Sequence, residues 1–194
     1  MNETIKNMEE YAKNNNVPIM QKDGIEFLLK FIKDNNIKSI LEIGTAIGYS
    51  SIRMALLDNS INITTIERDS SRYSLALENI EKVSLSNRIN VIYDDALNVN
   101  LNTKFDLIFI DAAKGKNIEF FEKYKKNLNN GGYIITDNLC FHGLVETDLS
   151  QIESRNVRGL VRKIRNYIDF LKQNKEFSTK FYTVGDGISI SRKN

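Results

Sequence analysis

Two spacings of apolar residues divide the chain. Near its start, apolar side chains recur every three or four positions, as they do from Ile25 to Ile32, and this spacing is typical of amphipathic helices. Pro18, the only proline, favours a loop between two such segments, because its ring fixes the backbone angle φ and removes the N–H. The helices are predicted over residues 4–13 and 23–34. We interpret residues 1–36 as an N-terminal helical segment and residues 37–194 as the main domain.

From Lys38 onward, short runs rich in β-branched and aromatic residues alternate with helical segments, which predicts βαβ units and a parallel sheet. The predicted strands cover residues 39–43, 62–66, 89–93, 105–110 and 133–136, and the predicted helices cover residues 49–57, 71–83, 118–128 and 152–171. Two last strands, over 177–184 and 188–191, are joined by Gly185-Asp186-Gly187, a connection short enough to predict an antiparallel hairpin at the sheet edge. The expected class is α/β: a single-domain, Rossmann-like fold with a mostly parallel sheet and a C-terminal antiparallel hairpin.

The composition excludes several kinds of site. The chain has 194 residues, of which 41% are hydrophobic and 27% charged, and this suits one domain with a sizeable core. Its 27 basic and 25 acidic residues create no whole-chain field that would bind nucleic acid indiscriminately. Cys140 and His142 are the only cysteine and histidine, which excludes an internal disulfide and zinc sites built from cysteines or three histidines. We interpret both residues as structural or incidental.

The distribution of apolar residues also bears on location. No apolar run approaches the ~20 residues needed to cross a bilayer. The first ten residues are polar and lack the apolar centre of a signal peptide. We therefore expect a cytoplasmic protein with no membrane partner.

The first predicted strand runs into a glycine-rich turn with the spacing Glu42-x-Gly44-x-Ala46-x-Gly48. Glycines at a strand-to-helix turn let a ligand approach the backbone closely. The spacing differs from the Gly-x-Gly-x-x-Gly pattern of dinucleotide-binding proteins, so a cradle for pyrophosphate is not favoured. S-adenosylmethionine (SAM) has no phosphate, and its ammonium group favours an acidic residue nearby, for which Glu42 is the candidate. A tight turn of any α/β protein is the alternative interpretation.

Acidic residues follow the next two predicted strands. Glu67 lies about 20 residues beyond the glycine turn, where a carboxylate can accept both ribose hydroxyls of a nucleoside. Asp95 and Ala96 follow the third strand, where a carboxylate can meet the amino group of adenine. A solvated strand end for Glu67 and a turn or cap for Asp95 are the alternatives. Ligands of open α/β sheets bind at the carboxyl ends of the strands, so acids at successive ends favour a nucleoside site.

The fourth and fifth predicted strands lead into oxygen ligands. Asp111 follows the fourth strand, and Asp137 and Asn138 follow the fifth. Two carboxylates and an amide oxygen suit Mg²⁺, which keeps several waters and leaves positions for substrate oxygens. Lys114 comes three residues after Asp111, and a lysine beside a divalent cation can have its pKa lowered and act as a base. The alternatives are that Asp111 caps a helix, that Asp137 and Asn138 form a turn, and that Lys114 is a surface lysine.

Three motifs together resemble the cation-dependent O-methyltransferase family, which includes catechol and caffeoyl-CoA O-methyltransferases. They are Glu-Ile-Gly-Thr-Ala-Ile-Gly-Tyr-Ser from Glu42, Phe-Ile-Asp-Ala-Ala-Lys-Gly from Phe109 and Ile-Thr-Asp-Asn from Ile135. Parallel strands followed by a terminal hairpin are also the arrangement of SAM-dependent methyltransferases. The resemblance implies SAM and Mg²⁺ (or Mn²⁺) as cofactors.

The same resemblance implies roles for individual residues. The implied catalytic residues are Lys114 and Asp111, and the implied metal ligands are Asp111, Asp137 and Asn138. The implied SAM contacts are Met20, Gly44, Ser50, Glu67, Asp95 and Asp111.

Further segments resemble bacterial tRNA 5-hydroxyuridine methyltransferases within that family. They are Val17-Pro18-Ile19-Met20, Ile52-Arg53-Met54-Ala55 and the stretch from Val184 to Ser191. This resemblance implies methylation of the 5-hydroxyl of 5-hydroxyuridine at the tRNA wobble position to give 5-methoxyuridine, with the anticodon loop as partner and a homodimer as the assembly. A metal with adjacent open positions favours an acceptor with two neighbouring oxygens, and both 5-hydroxyuracil and a catechol have them.

The long helix predicted over 152–171 carries arginines beside its apolar face. Apolar residues from Val157 to Leu171 recur at helical spacing. The arginines form an adjacent stripe that consists of Arg155, Arg158, Arg162 and Arg165. Because the planar guanidinium group suits phosphate, we expect this stripe to contact the tRNA backbone. A solvated face is the alternative.

Three other functions stay open. A small-molecule O-methyltransferase acting on catechols or related phenols would keep every residue role and change only the acceptor. A nicotinamide-dependent oxidoreductase is disfavoured by the glycine spacing and by the terminal hairpin. A catalytically silent SAM- or RNA-binding module is disfavoured because Asp111, Lys114, Asp137 and Asn138 occur together.

Overall fold

A computed structural model describes residues 2–112 and 114–194, without the side chains of Asn2 and Lys114. The helices are α1 (Asn2–Asn14), α2 (Lys22–Asp34), α3 (Tyr49–Ala55), α4 (Ser70–Lys82), α5 (Asn117–Tyr124) and α6 (Arg155–Gln173). The strands are β1 (Ser39–Ile43), β2 (Asn62–Glu67), β3 (Ile89–Tyr93), β4 (Phe105–Ile110), β5 (Leu128–Thr136), β6 (Phe177–Tyr182) and β7 (Ile188–Lys193). Within the described ranges, no helix combines the length and the apolar character needed to cross a bilayer.

The strands form one sheet in the order β3-β2-β1-β4-β5-β7-β6. The neighbours from β3 to β5 run parallel, and β7 pairs antiparallel with both β5 and β6. The predicted α/β class, with its mostly parallel sheet and terminal hairpin, is confirmed. The chain order reverses between β1 and β4, and ligands of open α/β sheets bind at the carboxyl ends of strands beside such a reversal.

An apolar cluster covers each face of the sheet. Ile40 of β1 packs in the cluster that includes Met8 of α1 and Leu28 of α2. The next residue, Leu41, packs in the opposite cluster with Tyr167 of α6. Successive side chains of a strand point to opposite faces, so both faces of β1 are buried, as is usual in a parallel sheet. The N-terminal helices therefore share a core with the strands.

The main difference from the predicted elements lies between α5 and β5. The predicted helix extends to residue 128, but α5 ends at Tyr124 and Leu128 already begins β5 after a short 3₁₀ turn. The first half of β5 contains Asn-Asn-Gly-Gly, and these residues have low β propensity, so the sequence pattern hid this part of the strand. The pairing with β4 accommodates it by a shift in register between Phe105 and Leu107.

Helix α6 begins at Arg155 rather than at residue 152. Ser154 caps it, because its hydroxyl accepts a hydrogen bond from the Val157 N–H at 3.4 Å. On the buried face, the Tyr167 hydroxyl lies 2.7 Å from the Thr136 hydroxyl. This hydrogen bond ties α6 to the carboxyl end of β5.

Candidate active site

A cavity of about 670 Å³ opens at the carboxyl ends of the parallel strands. This volume lies in the range of small-molecule and cofactor sites. The loop of residues 16–21 and His142 form further parts of its wall. The predicted site residues that line it are Met20, Gly44, Glu67, Asp95, Ala96, Asp111, Asp137 and Asn138.

The glycine-rich turn brings the end of β1 against the end of β4. Gly44 has a φ of +102°, and a methyl group on its Cα would lie 2.5 Å from the carbonyl oxygen of Asp111, so only glycine fits. The N–H groups of Gly44 and Thr45 both donate to the carbonyl of Ile66, at 3.0 and 3.3 Å. The Asp111 N–H donates to the carbonyl of Ile43 at 3.0 Å. These bonds hold three strand ends together beside the cavity.

Glu42 is fully buried behind this turn and is not among the residues described on the cavity wall. Its carboxylate accepts hydrogen bonds from the hydroxyls of Ser50 at 2.5 Å, of Ser51, and of Thr65 at 2.6 Å. Burial raises the pKa of Glu42, and the three hydroxyl donors oppose that rise. Glu42 thus lies behind the turn, and its predicted contact with the SAM ammonium group stays a prediction.

Ser50, which was also predicted to touch SAM, is not on the described cavity wall either. It is 6% exposed, and its hydroxyl is directed to Glu42. Both residues belong to a buried network that supports the turn from behind. In this structure both residues support the turn, and their predicted contacts with SAM stay predictions.

Glu67 reaches the cavity from the end of β2 with its carboxylate held by the backbone. One oxygen accepts from the Ala46 N–H at 2.8 Å, and the other accepts from the Arg68 and Asp69 N–H groups, both at 2.9 Å. Glu67 is only 7% exposed. Bonds from neutral donors to a carboxylate are strong, so they fix the side chain and couple it to the glycine turn. A carboxylate fixed here can accept ribose hydroxyls.

Asp95 lines the neighbouring part of the cavity, just beyond β3. Its carboxylate accepts from the Leu97 N–H at 2.9 Å and from the Arg68 guanidinium at 3.3 Å. The Leu97 N–H, followed by Arg68, holds the pKa of Asp95 below its usual value. Asp95 therefore stabilises a turn through the Leu97 N–H, as the alternative interpretation proposed, and also places an ionised acceptor on the cavity wall.

Asp111, Asp137 and Asn138 line another part of the same cavity. The Asn138 side-chain amide donates to Asp111 Oδ1 at 2.8 Å, and Asp137 is 5% exposed. Two carboxylates and an amide oxygen have the hard-oxygen chemistry that Mg²⁺ and Mn²⁺ prefer, so the residues present fit such an ion. In the part of the chain that is described, no three His, Cys, Asp or Glu side chains gather, so Asn138 or water would have to complete the ligand set.

The predicted catalytic role of Lys114 concerns a side chain outside the described residues. Its backbone begins the short 3₁₀ turn Lys114–Lys116, just beyond β4. Gly115 in that turn packs against Lys163 of α6, whose Nζ would lie 3.2 Å from a methyl group on Gly115. Lys116 is on the cavity wall. Lys116 therefore places one basic residue on this side of the cavity.

Some cavity residues were not predicted from the sequence. His142 lines the cavity with a side chain that is 69% exposed, which the interpretation of this residue as structural or incidental did not anticipate. Arg68 and Arg72 also line the cavity and add positive charge beside Glu67. Their proximity in sequence to Glu67 could have indicated that these arginines line the cavity. For His142 the signal was its place in the loop after a parallel strand, because such loops line ligand sites.

The four arginines of α6 have different surroundings. Arg155 and Arg162 are exposed. Arg158 donates to two backbone carbonyls just before the helix, and Arg165 donates to two carbonyls in the segment after β5. These bonds occupy Arg158 and Arg165 within the fold. Arg155 and Arg162 are therefore the exposed members of the predicted stripe, and its contact with the tRNA backbone stays a prediction.

Comparison with known proteins agrees with this fold and cavity. Residues 1–194 match the model of the O-methyltransferase family. A caffeoyl-CoA O-methyltransferase of Populus kitakamiensis is 29% identical over 175 residues, which cover 86% of this chain and 74% of that protein. A Staphylococcus aureus protein, provisionally assigned as a caffeoyl-CoA O-methyltransferase, superposes with a TM-score of 0.93 at 40% identity, covering 98% of this chain and 92% of that chain. The O-methyltransferase from Bacillus cereus, in complex with S-adenosylhomocysteine (SAH), gives a TM-score of 0.85 at 27% identity and covers 99% of this chain and 91% of that chain.

The fold and these neighbours define the class of SAM-dependent methyltransferases. The chain belongs to the O-methyltransferase family and resembles its caffeoyl-CoA O-methyltransferases. It is a SAM-dependent O-methyltransferase.

Proposed function

We propose that the chain transfers the methyl group of SAM to one of two adjacent oxygens on an acceptor that a divalent cation holds beside Asp111, Asp137 and Asn138. The observation that carries the proposal is the position of these three oxygen donors in the cavity that also contains Glu67. When bound, Mg²⁺ or Mn²⁺ would stabilise negative charge on the acceptor oxygen. A site for the nucleoside and a site for the acceptor would then share one cavity.

The chain's own residues would align the two substrates. Glu67 would accept the ribose hydroxyls, and Asp95, beside Ala96, would meet the adenine amino group. Met20, Gly44 and Asp111 would contact the rest of SAM. Alignment of this kind can supply a large part of the rate enhancement, because it removes the entropic cost of bringing two reactants together.

The transfer would be an in-line displacement at the sulfonium methyl group. The carbon–oxygen bond forms while the carbon–sulfur bond breaks, and the electron pair of that bond leaves on sulfur. The acceptor hydroxyl loses its proton, and Lys114 would receive it. The products are the methyl ether and SAH.

For the acceptor we propose 5-hydroxyuridine at the tRNA wobble position, with 5-methoxyuridine as product. The base offers two neighbouring oxygens, O4 and O5. The exposed Arg155 and Arg162 of α6 and the cavity residue Lys116 supply positive charge for phosphates of the anticodon loop. The resemblance of several segments to tRNA 5-hydroxyuridine methyltransferases supports the same acceptor.

A second candidate is a small phenol with two adjacent oxygens. The name of the Populus relative specifies caffeoyl-CoA, and such an acceptor would use the same oxygen donors in the same cavity. Only the residues around the opening of the cavity would differ in role, because they would contact a small phenol instead of tRNA.

One experiment separates the two acceptors. The purified enzyme, with SAM and Mg²⁺, is given caffeoyl-CoA, 3,4-dihydroxybenzoate or tRNA from a strain that lacks the gene for this chain. Mass spectrometry of nucleosides should show 5-hydroxyuridine accumulating in the deletion strain and being converted to 5-methoxyuridine in vitro. Transfer to the phenols with unchanged tRNA would overturn the tRNA proposal in favour of the second candidate. Transfer to none of them by SAM-binding enzyme would overturn both.

We also propose that the active enzyme is a homodimer, as the resemblance implies. Light scattering during size-exclusion chromatography should give twice the mass of the 22.3 kDa chain. A monomeric mass for active enzyme at assay concentration would contradict this assembly.

A further inference from the structure

The turn between β6 and β7, Gly185-Asp186-Gly187, lies against the loop that follows β5. The Leu139 N–H donates to the carbonyl of Gly187 at 2.9 Å, and the Cys140 N–H donates to the carbonyl of Asp186 at 2.7 Å. Asp186 is only 5% exposed, and its carboxylate accepts from the backbone N–H of His142 at 2.5 Å. The turn therefore holds the loop of residues 138–142 by its backbone and by a buried carboxylate.

The two glycines of the turn allow this close contact. A methyl group on Gly187 would lie 2.5 Å from Cys140 Sγ, which leaves no room for a side chain. On the other side, a methyl group on Gly185 would lie 3.2 Å from the Cα of Gly24, in the first turn of α2. Met20 and Gln21, just before α2, line the cavity. The turn thus packs against two segments that lead to separate parts of the cavity wall.

The loop held by the turn has an unusual backbone. Asn138, Phe141 and His142 have φ values of 66°, 45° and 55°, in the left-handed region that side-chain-bearing residues rarely adopt. Such a conformation persists where neighbouring structure determines it. The Asp186 carboxylate bonds to one of these three residues, and the turn's carbonyls bond to the two residues between them. The loop begins at the proposed ligand Asn138 and ends at His142 on the cavity wall.

We propose that Asp186 is a positioning residue of the active site and that His142, which it positions, contacts the ring of the acceptor. The inference rests on the proposed function, because it places the acceptor beside Asn138. A planar imidazole at the mouth, with one nitrogen donor and one acceptor, can stack on or bond to a flat ring that carries adjacent oxygens. Nδ1 of His142 lies 3.8 Å from Asp186 Oδ1, so the carboxylate also lies beside the imidazole.

Kinetics of Asp186 variants test the positioning role. Asp186→Ala should raise the KM for the methylated acceptor about tenfold while the Kd for SAH changes by less than about twofold, because the SAM side of the cavity keeps its own contacts. Asp186→Asn retains an oxygen that can accept from the His142 N–H and should remain within about threefold of the wild type. Asp169→Ala, an exposed Asp-to-Ala change on α6, is the control.

Nuclear magnetic resonance supplies a readout that does not require turnover. His142 is the only histidine, so tag-free protein has a single imidazole signal. Adding 3,4-dihydroxybenzoate or 5-hydroxyuridine to the enzyme with SAH and Mg²⁺ should shift that signal. Asp186→Ala should move the signal of the free enzyme and abolish the shift, while Asp186→Asn should preserve it.

A double-mutant cycle checks that Asp186 acts through His142. His142→Ala should raise the acceptor KM without changing the Kd for SAH, and Asp186→Ala with His142→Ala should be no worse than Asp186→Ala alone. If Asp186→Ala does not fold, Asp186→Asn and His142→Ala carry the test. Additive effects, or an imidazole signal that no acceptor shifts, would overturn the inference. An acceptor that shifts the imidazole signal but receives no methyl group would instead uphold it while contradicting the proposed function.

Discussion

At the residue scale, backbone groups hold polar side chains in place on the cavity wall and behind it. Glu67 accepts from three backbone N–H groups, and Asp186 accepts from the N–H of His142. A backbone donor has no rotamer freedom of its own, so only the carboxylate side chain loses conformational entropy when such a bond forms. Substitutions at these positions should therefore affect the ligand and the shape of the loops together.

Glu67 provides the clearest test of the nucleoside site. Glu67→Ala should weaken SAH binding by about 1–3 kcal/mol, because it removes the acceptor for two ribose hydroxyls and leaves backbone donors without a partner. Glu67→Gln keeps one oxygen and should lose less. Isothermal titration calorimetry measures both, with the exposed Glu81→Ala as control. Equal affinity of Glu67→Ala and wild type would reject the assignment.

Asp137 provides the test of metal dependence. EDTA should abolish methyl transfer, and added Mg²⁺ or Mn²⁺ should restore it. Asp137→Asn has almost the same shape without the charge, and its kcat should fall at least about a hundredfold while the Kd for SAH stays within about threefold. Full activity in excess chelator, or a parallel loss of SAH binding in Asp137→Asn, would contradict the assignment of this residue to the metal.

Gly44 has no room for a side chain and Gly159 has open space around it, so alanine substitutions at the two positions make a matched test of stability. Gly44→Ala should destabilise the fold by more than about 2 kcal/mol, because its methyl group would meet the Asp111 carbonyl at 2.5 Å and its φ is +102°. Gly159 is inside α6, and a methyl group there meets no atom within 4 Å. Gly159→Ala should stabilise by about 0.5–1 kcal/mol through better helix propensity. Urea unfolding measures both, and the same sign for the two variants would contradict this account.

At the scale of elements, α6 performs two tasks on different faces. Its apolar face packs against α5 and the sheet, and its arginines divide between internal bonds and solvent. Arg165 donates to the carbonyls of Val145 and Thr147, which fastens the segment after β5 to the helix. The exposed pair, Arg155 and Arg162, has the freedom that a phosphate contact requires.

The exposed pair can be tested apart from the internal one. Arg155→Ala with Arg162→Ala should raise the KM for tRNA about fivefold and reduce the slope of log affinity against log salt by about 1–2, as expected for the loss of two phosphate contacts. Lys172→Ala with Lys175→Ala, two exposed lysines near the other end of α6, is the charge-matched control. Equal effects of the two pairs would indicate a general charge effect rather than a docking site.

The strands that position the site could be predicted from the sequence, because strands buried on both faces read as continuous apolar runs. The same logic predicted that Asp111, Asp137 and Asn138 meet, since the carboxyl ends of adjacent parallel strands share one sheet edge. The hydrogen bonds of Glu42 could not be predicted, because this residue lies within β1 and its partners are hydroxyls from α3 and β2. The sequences of α3 and β2 do not reveal that these hydroxyls contact Glu42.

The internal bonds of Arg158 and Arg165 escaped prediction for a related reason. Helical spacing places both beside Arg155 and Arg162, but their acceptors are backbone carbonyls in loops. A carbonyl carries no sequence signal, because every residue has one. The place of His142 on the cavity wall depends likewise on a loop whose left-handed residues are not glycines.

At the scale of the whole molecule, the sheet is completed by β7, which is inserted between two strands that precede it in the chain. β7 lies between β5 and β6 and pairs with both. A chain that ends at Gly187 should lose cooperative thermal unfolding in circular dichroism, because β5 and β6 would each present an open edge. A chain that lacks only Asn194 is the control. A cooperative transition in the shorter chain at the wild-type temperature would show that β7 is dispensable for the fold.

Because β7 lies between β5 and β6, the sheet cannot be completed during synthesis until β7 has been made. A ribosome makes β6 before β7, so β6 emerges while its place in the sheet is still separated from β5 by a gap. The nascent chain can pair β1 to β5 early, but an unpaired strand edge invites contact with neighbouring polypeptides. The step that closes the edge awaits residues 188–193, which are synthesised after the other six strands of the sheet. The interval before β7 joins the sheet is therefore the period in which a newly made molecule is most open to misassembly.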